Sequence, residues 1–326
     1  MDSSPTARLR RAHDSLEGLS VGDAFGEQFF LSFALARRVV ESEEFETIPG
    51  MDEDDFMRRE LIDVRRLDYS DERWKWTDDT ALALELVAEL RDNGAVDPDS
   101  LALRFCNRYL ADRNRGYGGA MHSLLPQLWS KSAWREAAGG LFDGQGSYGN
   151  GSAMRVPPLG AYFADDVDLL VEQARLSAIV THAHPDAVAG AIATAVAAGI
   201  CARMRDEGEE LETTAFLSEV ITRTPPSEVR DRLVECRRFP DSYTSEQVAQ
   251  IVGSGNAVAC EDTVPFCIWC AATENLHFSE AMWLTVAGLG DRDTTCAIVG
   301  GIVGAKVGAE GVQGEWRERR EALGDF

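Results

Sequence analysis

The sequence predicts a single all-α domain spanning residues 1–326. Three observations carry that prediction. Apolar residues recur at helical spacing, as in Leu82, Leu86 and Leu90 with Ala83 and Val87 beside them. Alternation with a period of two is scarce, and only short pieces such as Thr47–Ile48 could be extended. No internal repeat or low-complexity linker divides the 326 residues, and a 44% hydrophobic composition suffices for one large core.

In chain order, Arg8–Leu19 reads as a first helix ending near Gly18 and Gly22. The segment Gly22-Asp23-Ala24-Phe25-Gly26-Glu27 then reads as an acidic, Gly-flanked helix boundary. Residues 31–73 are the least regular part, and charge runs there such as Asp52–Asp55 read as solvated surface. Thr77 is a predicted N-cap for the helix carrying Leu82, Leu86 and Leu90, which Asn93-Gly94 ends. Ser100–Leu110 follows Pro98 as a further helix. Leu169–Val180 and Asp186–Arg205 come next, the second with Pro185 at a favourable first-turn position. Within it, the Ala- and Gly-dominated stretch Ala187–Ala202 reads as too short and too weakly apolar to span a bilayer. Less regular helical patterns cover Ser245–Val252 and Ser279–Val286. The last helix, Thr294–Val307, leads into Gly308 and contains Gly300, Gly301 and Gly304. Each mid-helix Gly costs roughly 0.5–1 kcal/mol relative to Ala, so close packing is the expected offset. Positions 300, 304 and 308 share one helical face, which places that helix deep in the bundle.

A formal net charge of -23 argues against general nucleic-acid binding, which rests on neutralising phosphates with Lys and Arg. An anionic substrate would need a local positive source, and bound cations could supply it. Met1–Arg11 is polar and has no apolar signal core. Seven cysteines without framework spacing fit reduced thiols in a cytoplasm, with no membrane partner expected. Cys267 and Cys270 form a lone CxxC, expected to be ordinary core cysteines.

Two acidic clusters stand apart from this background: Thr77-Asp78-Asp79-Thr80 and Asp291-Arg292-Asp293-Thr294. Each sets two carboxylates and at least one hydroxyl at a predicted helix start. One carboxylate there is explained by capping and by the helix dipole. The dipole opposes cations, however, so several carboxylates at one helix start suggest that a cation is to be held. Oxygen-only donors suit Mg²⁺, Mn²⁺ or Ca²⁺ rather than zinc. If the fold joins the clusters, two divalent cations would cancel the charge of four carboxylates. A third feature is the loop Ser147-Tyr148-Gly149-Asn150-Gly151-Ser152, followed by Ala153-Met154-Arg155. Its glycines allow close backbone approach, and successive N–H groups could form a nest for phosphate oxygens. A fourth is Thr181-His182-Ala183-His184-Pro185-Asp186, a helix entry whose His contacts ligand or backbone.

In this order the segments resemble the ADP-ribosylglycohydrolase family. The likeness runs through Gly22–Gly26, Trp76–Thr80, Gly149–Arg155, Thr181–His182, Val264–Pro265 and Gly290–Thr294. It implies an orthogonal helical bundle with a binuclear metal site, two Mg²⁺ or Mn²⁺ ions, at the mouth of a cleft. Thr77, Asp78, Asp79, Asp291, Asp293 and Thr294 would be the ligands. Ser147, Tyr148, Gly149, Asn150, Gly151 and Ser152 would hold the diphosphate and adjoining ribose, with His182 nearby. Asp291 and Asp293 would be catalytic carboxylates, and Glu27, the acid nearest the position where the family has its Glu, is taken as the third. The implied reaction is hydrolysis of the glycosidic bond joining ADP-ribose to an arginine or serine side chain or to a small acceptor. The partner is then an ADP-ribosylated protein or an ADP-ribose derivative. Two departures mark this chain. Leu289-Gly290-Asp291-Arg292-Asp293-Thr294 stands where the family usually has Gly-Gly-Asp-Thr-Asp-Thr, and Phe30 stands where many members have a Glu. Two other readings fit the residues: a binuclear-metal nucleotide or phosphoester hydrolase, and an inactive ADP-ribose-binding relative.

Overall fold

The computed structural model describes residues 1–30, 73–130, 133–273 and 277–324. The expectations for Thr47–Ile48 and Asp52–Asp55 lie outside them. The architecture is all-α. Among the described residues the only β contacts are isolated bridges between Trp74 and Arg320 and between Gly149 and Ala259.

Helix α1, Pro5–Glu27, starts at the Ser4 cap with Pro5 in its first turn. Helix α2 is Asp78–Asn93, capped by Thr77 and ended by Gly94 in the left-handed conformation, as the sequence predicts. Helix α3 is Pro98–Ala111. Short helical segments, Met121–Leu124, Ala133–Gly139 and Leu141–Gly144, then lead to α4, Pro157–Tyr162, and α5, Val167–Ile179. Helix α6, Pro185–Glu207, is followed by α7, Thr213–Arg223, and α8, Glu228–Cys236. Helix α9, Ser245–Val252, precedes α10, Cys260–Ala272, and α11, Phe278–Val286. Helix α12, Arg292–Gly311, and α13, Gly314–Arg319, complete the order.

The first helix differs from the sequence expectation. It does not end near Gly18 and Gly22, and the Gly22–Glu27 segment is its last turn and a half rather than a boundary. The reason is tertiary. Gly18, Gly22 and Gly26 lie four residues apart on one face, and that face meets α12 backbone to backbone. A Cβ at these positions would stand 2.1 Å from the Gly300 carbonyl oxygen, 2.1 Å from that of Cys296 and 2.2 Å from that of Arg292. From the α12 side, Gly300 and Gly304 face Gly18, as the expected close packing requires, while Gly301 packs on Pro157 and Leu19. Gly308 does not share the face, because its φ of 72° breaks the helical path there.

Helix α6 brackets the expected Asp186–Arg205 by one or two residues at each end, and it corrects the expectation that the Ala187–Ala202 stretch is too short and too weakly apolar to span a bilayer. Its 23 residues are long and apolar enough to cross a membrane, yet 89% of that window is buried inside the bundle. It is the central core helix, in contact with α4, α5, α10 and α12. Helix α10 carries Pro265 in its interior. A proline there cannot donate to the carbonyl four residues earlier. That carbonyl, of Glu261, accepts instead from the Arg232 guanidinium at 2.9 Å. Cys267 and Cys270 on this helix are buried and unpaired with each other, as expected for core thiols.

Candidate active site

The start of α2 is gripped from two directions. The Trp74 N–H donates to the Arg319 carbonyl at 2.9 Å, and the Glu321 N–H donates to the Trp74 carbonyl at 2.8 Å. Arg115 lies 3.7 Å over the Trp76 ring, donates to the Trp76 carbonyl at 3.1 Å and pairs with Glu321 at 2.7 Å. From α1, buried Asp23 accepts the N–H groups of Thr77 at 2.9 Å and Thr80 at 3.1 Å, with the Thr80 hydroxyl. Helix-start N–H groups lack partners within their own helix. Asp23 supplies an acceptor from a neighbouring helix, which leaves the Asp78 and Asp79 carboxylates available for other work. Sequence reading missed Asp23, whose only signal was an acid among glycines.

Helix α12 delivers the second cluster. Leu289 and Gly290 both take left-handed conformations, φ 62° and 61°, and this turn carries Asp291 into the site. Asp291 occupies the N-cap position but makes no capping hydrogen bond. Its Oδ2 accepts instead from Asn150 Nδ2 at 2.8 Å. The clusters meet where the Thr294 hydroxyl donates to Asp79 Oδ2 at 3.5 Å; the Thr77 hydroxyl reaches the same oxygen at 3.0 Å.

The electrostatics are those of acids buried together. Burial, then the Asp23 charge, pushes Asp78 up to about 8. Burial pushes Asp23 to about 6. Asp79 and Asp293 are driven well above the carboxylate range by burial and then by neighbouring aspartates. Asp79 Oδ1 is buried and has no hydrogen-bond partner among the described residues. Among the described residues, no three acidic, imidazole or thiol groups are drawn tightly enough to read an ion position directly. The donor set still fits hard divalent cations: all oxygen, an orphaned carboxylate atom, and acids that repel without counter-charge.

The Ser147–Ser152 loop is braced rather than open. It pairs antiparallel with residues 258–260: the Asn150 N–H donates to the Val258 carbonyl at 3.2 Å, and the Cys260 N–H to the Tyr148 carbonyl at 3.0 Å. The Gly149 N–H donates to Ser147 Oγ at 3.2 Å. The expected nest of successive N–H groups is therefore corrected, since those of Gly149 and Asn150 are engaged within the fold. Ser152 also turns away, its hydroxyl donating to the Ala187 carbonyl at 2.9 Å. The positive source near the loop is Arg155, fully buried, whose guanidinium donates to the Gly151 carbonyl at 2.9 Å and to Thr181 Oγ1 at 2.8 Å. Burial lowers it only to about 9, so it stays charged at neutral pH. Thr181 Oγ1 lies 2.7 Å from His182 Nδ1. Giving that hydroxyl hydrogen an acceptor assigns Nδ1 as acceptor and leaves Nε2–H as donor. Burial, then Arg155, lowers His182 to about 3, so the ring is neutral. It abuts the loop, where a Cβ on Gly151 would stand 2.8 Å from its Cε1.

Both halves line one cavity of about 410 Å³. Asp78, Asp79, Asp291, Asp293 and Thr294 form one end, while Ser147, Tyr148, Gly149, Asn150, Gly151 and His182 form the other. Of the remaining sequence candidates, Thr77 and Ser152 sit in the shell behind the lining. Glu27 is half-buried at the end of α1, pushed up to about 7 by burial and then by Asp23. It lies outside the lining, near Arg292, whose guanidinium stands 4.6 Å over the Phe30 ring. Two lining segments were missed by the sequence reading: the loop from Gly116 to Met121, and Phe142 with Val258. The Gly118-Gly119 pair was a signal for the first, and nothing in the local sequence pointed to the second.

A model of the ADP-ribosylglycohydrolase family matches residues 4–325. The chain belongs to this family. ADP-ribosylhydrolase ARH3 of Bos taurus is 31% identical over 274 residues, covering 76% of this chain and 74% of its own length. The Homo sapiens ARH3 is 31% identical over 280 residues with the same coverage. An uncharacterized protein of Archaeoglobus fulgidus is 31% identical over 234 residues, 71% of this chain and 72% of its own. Among solved structures, one titled "ADP-ribosylglycohydrolase-related protein complex" shares the fold, with a TM-score of 0.59 at 23% identity over 98% of this chain and 94% of the other. As an ADP-ribosylglycohydrolase family member this chain is a glycosidic-bond hydrolase. The all-α fold expected from the sequence is the fold of the family.

Proposed function

We propose that this chain hydrolyses the glycosidic bond between the distal ribose of an ADP-ribosyl group and its acceptor in a cation-dependent reaction. The observation that carries the reading is the single cavity with two unlike ends, acids from two helix starts facing a braced loop backed by Arg155. Asp78, Asp79, Asp291 and Asp293, with the Thr77 and Thr294 hydroxyls, would hold two divalent cations, Mg²⁺ or Mn²⁺. Such ions supply positive charge beside the reacting sugar and make a water more acidic. The loop and the buried Arg155 charge bind the diphosphate. His182 offers an Nε2–H to the ligand. Exposed Phe142 and Tyr148, ring centroids 5.6 Å apart, give a flat group an apolar seat at the mouth. Glu27 joins Asp291 and Asp293 as the acid–base set, because its helix end packs on Asp293: a Cβ on Gly26 would stand 2.8 Å from the Asp293 Cα.

The test is product identity. Peptides ADP-ribosylated on serine, arginine or cysteine are incubated with the protein, with EDTA and after added Mg²⁺ or Mn²⁺, and the products are weighed by mass spectrometry. The expected result is free ADP-ribose and unmodified acceptor, stopped by EDTA and restored by cation. AMP with a phosphoribosyl acceptor would assign the chemistry to the diphosphate instead. Binding of ADP-ribose without turnover of any peptide would make the chain an inactive relative.

A further inference from the structure

One side chain joins the two ends of the cavity. Asn150 is 3% exposed and belongs to the 147–152 loop, yet its amide reaches across to the acidic end. Its two N–H bonds have two acceptors: Asp291 Oδ2 at 2.8 Å and Thr263 Oγ1 of α10 at 3.1 Å. Its backbone carbonyl accepts from the Ala153 and Met154 N–H groups at 2.9 Å and 3.0 Å. The residue is thus fixed at both ends, and Asp291 has exchanged the usual cap bond for this one. The chemistry of the donor matters. An Arg or Lys on Asp291 would cancel the charge a cation needs. A neutral amide orients the carboxylate through one oxygen and leaves its charge intact. The segment facing Asn150 is under strain: Val258, whose carbonyl accepts the Asn150 N–H, holds a φ of 54° while 53% exposed. Gly255 of the same segment lies so close that a Cβ on it would stand 2.5 Å from the Asp291 Cβ.

We propose that Asn150 is a positioning residue that couples the two ends: through its amide, ligand in the 147–152 loop and cations on the carboxylates favour one another. The inference rests on the proposed function above, which puts diphosphate at one end and cations at the other. Loop, Asn150 amide and Asp291 carboxylate form one hydrogen-bonded frame, so a ligand seated on the loop favours the arrangement in which Asn150 holds Asp291, and a carboxylate so held binds a cation better. Linkage makes the effect reciprocal, so cations tighten nucleotide binding by the same factor.

The experiment is isothermal titration of the full chain with Mn²⁺, with and without saturating ADP-ribose, for the wild type, Asn150→Ala and Asn150→Asp. Thr263→Val, which removes only the second acceptor of the amide, covers the case in which the Asn150 variants fail to fold. Changes in residues that orient metal ligands weaken affinity by roughly 10–100-fold, so Asn150→Ala should lose about tenfold in Mn²⁺ affinity. The factor by which ADP-ribose tightens Mn²⁺ should also shrink severalfold, because the link through the Asn150 amide is gone. Asn150→Asp faces Asp291 with a second carboxylate; it should weaken the coupling and bind Mn²⁺ in altered stoichiometry. Thr263→Val should shift the coupling in the same direction by less. Equal Mn²⁺ affinity and equal coupling in wild type and Asn150→Ala overturn the inference while leaving the proposed function standing. A wild type that binds neither Mn²⁺ nor ADP-ribose overturns both.

Discussion

Replacing Gly22 with Ala tests how the acidic clusters are brought together. On an isolated helix the change is favourable by about 0.5–1 kcal/mol. Here the new Cβ would stand 2.1 Å from the Cys296 carbonyl oxygen and 2.8 Å from its carbon. Ordinary contacts lie near 3.5 Å, so α12 must retreat by about 1 Å at that point. Overpacking of this kind costs about 1–3 kcal/mol, which leaves a net loss of up to about 2.5 kcal/mol after the helix gain. For 326 residues that corresponds to a melting temperature lower by up to roughly 4 °C. The effect on turnover should be larger. Cys296 lies one turn into α12, so the retreat carries Asp293 and Thr294 with it and opens the 3.5 Å contact between Thr294 and Asp79. Misplacement by about 1 Å can reduce rate by about 10²-fold. The assay pairs a thermal melt with release of ADP-ribose from a peptide. Gly139→Ala, where a Cβ would meet nothing within 4 Å among the described residues, is the control and should match the wild type in both. A Gly22→Ala protein that melts and turns over like the wild type would refute the argument that this contact sets the site.

The remaining predictions concern charge and strain. Folded-state values raised above the unfolded 3.8, as for Asp78 at about 8, mean stability present below that value and lost as pH rises toward 8. In EDTA the protein should therefore melt lower at pH 8 than at pH 5; excess Mn²⁺ should remove the difference, and a flat melting profile in EDTA would contradict it. Asp79→Asn should abolish turnover yet raise the pH 8 melting temperature in EDTA, since it removes a buried acid whose Oδ1 has no partner among the described residues. Val258→Asn should stabilise by about 1 kcal/mol, because Asn tolerates the left-handed region that a β-branched residue resists; chemical denaturation checks it. Arg155→Lys keeps the charge but loses the fork that holds the Gly151 carbonyl and Thr181 together. ADP-ribose affinity by calorimetry should fall about tenfold, near 1.4 kcal/mol.

Local signals made much of this molecule legible in its sequence. The Leu82, Leu86 and Leu90 spacing, the Thr77 cap and the Gly94 stop define α2 without reference to any other element. Both acidic clusters were visible because several carboxylates at one helix start exceed what capping needs. What escaped was decided by distant partners. Gly18 and Gly22 look like a helix end and are instead the contact surface for α12, some 280 residues away. Pro265 looks like a breaker, and α10 persists because Arg232 takes over the Glu261 carbonyl. Asp23 gave no hint that it would cap a helix beginning at Asp78. The nest expected in the 147–152 loop was undone by pairing with residues 258–260, which no local pattern announces.

The clasp at Trp74 bears on how the protein is made. Residues 319–321 hold the strip of chain that leads into Thr77, and the carboxylates it presents are completed only by Asp291 and Asp293. A ribosome delivers Asp78 long before either. During synthesis the early acids therefore wait without the partners that orient them, and α1 waits for the helix that fills its glycine face. Any product that stops short of residue 319 lacks the clasp, and one that stops before residue 291 lacks half of the acids. Both halves of the site and the clasp that holds them therefore exist together only once the chain has passed residue 321.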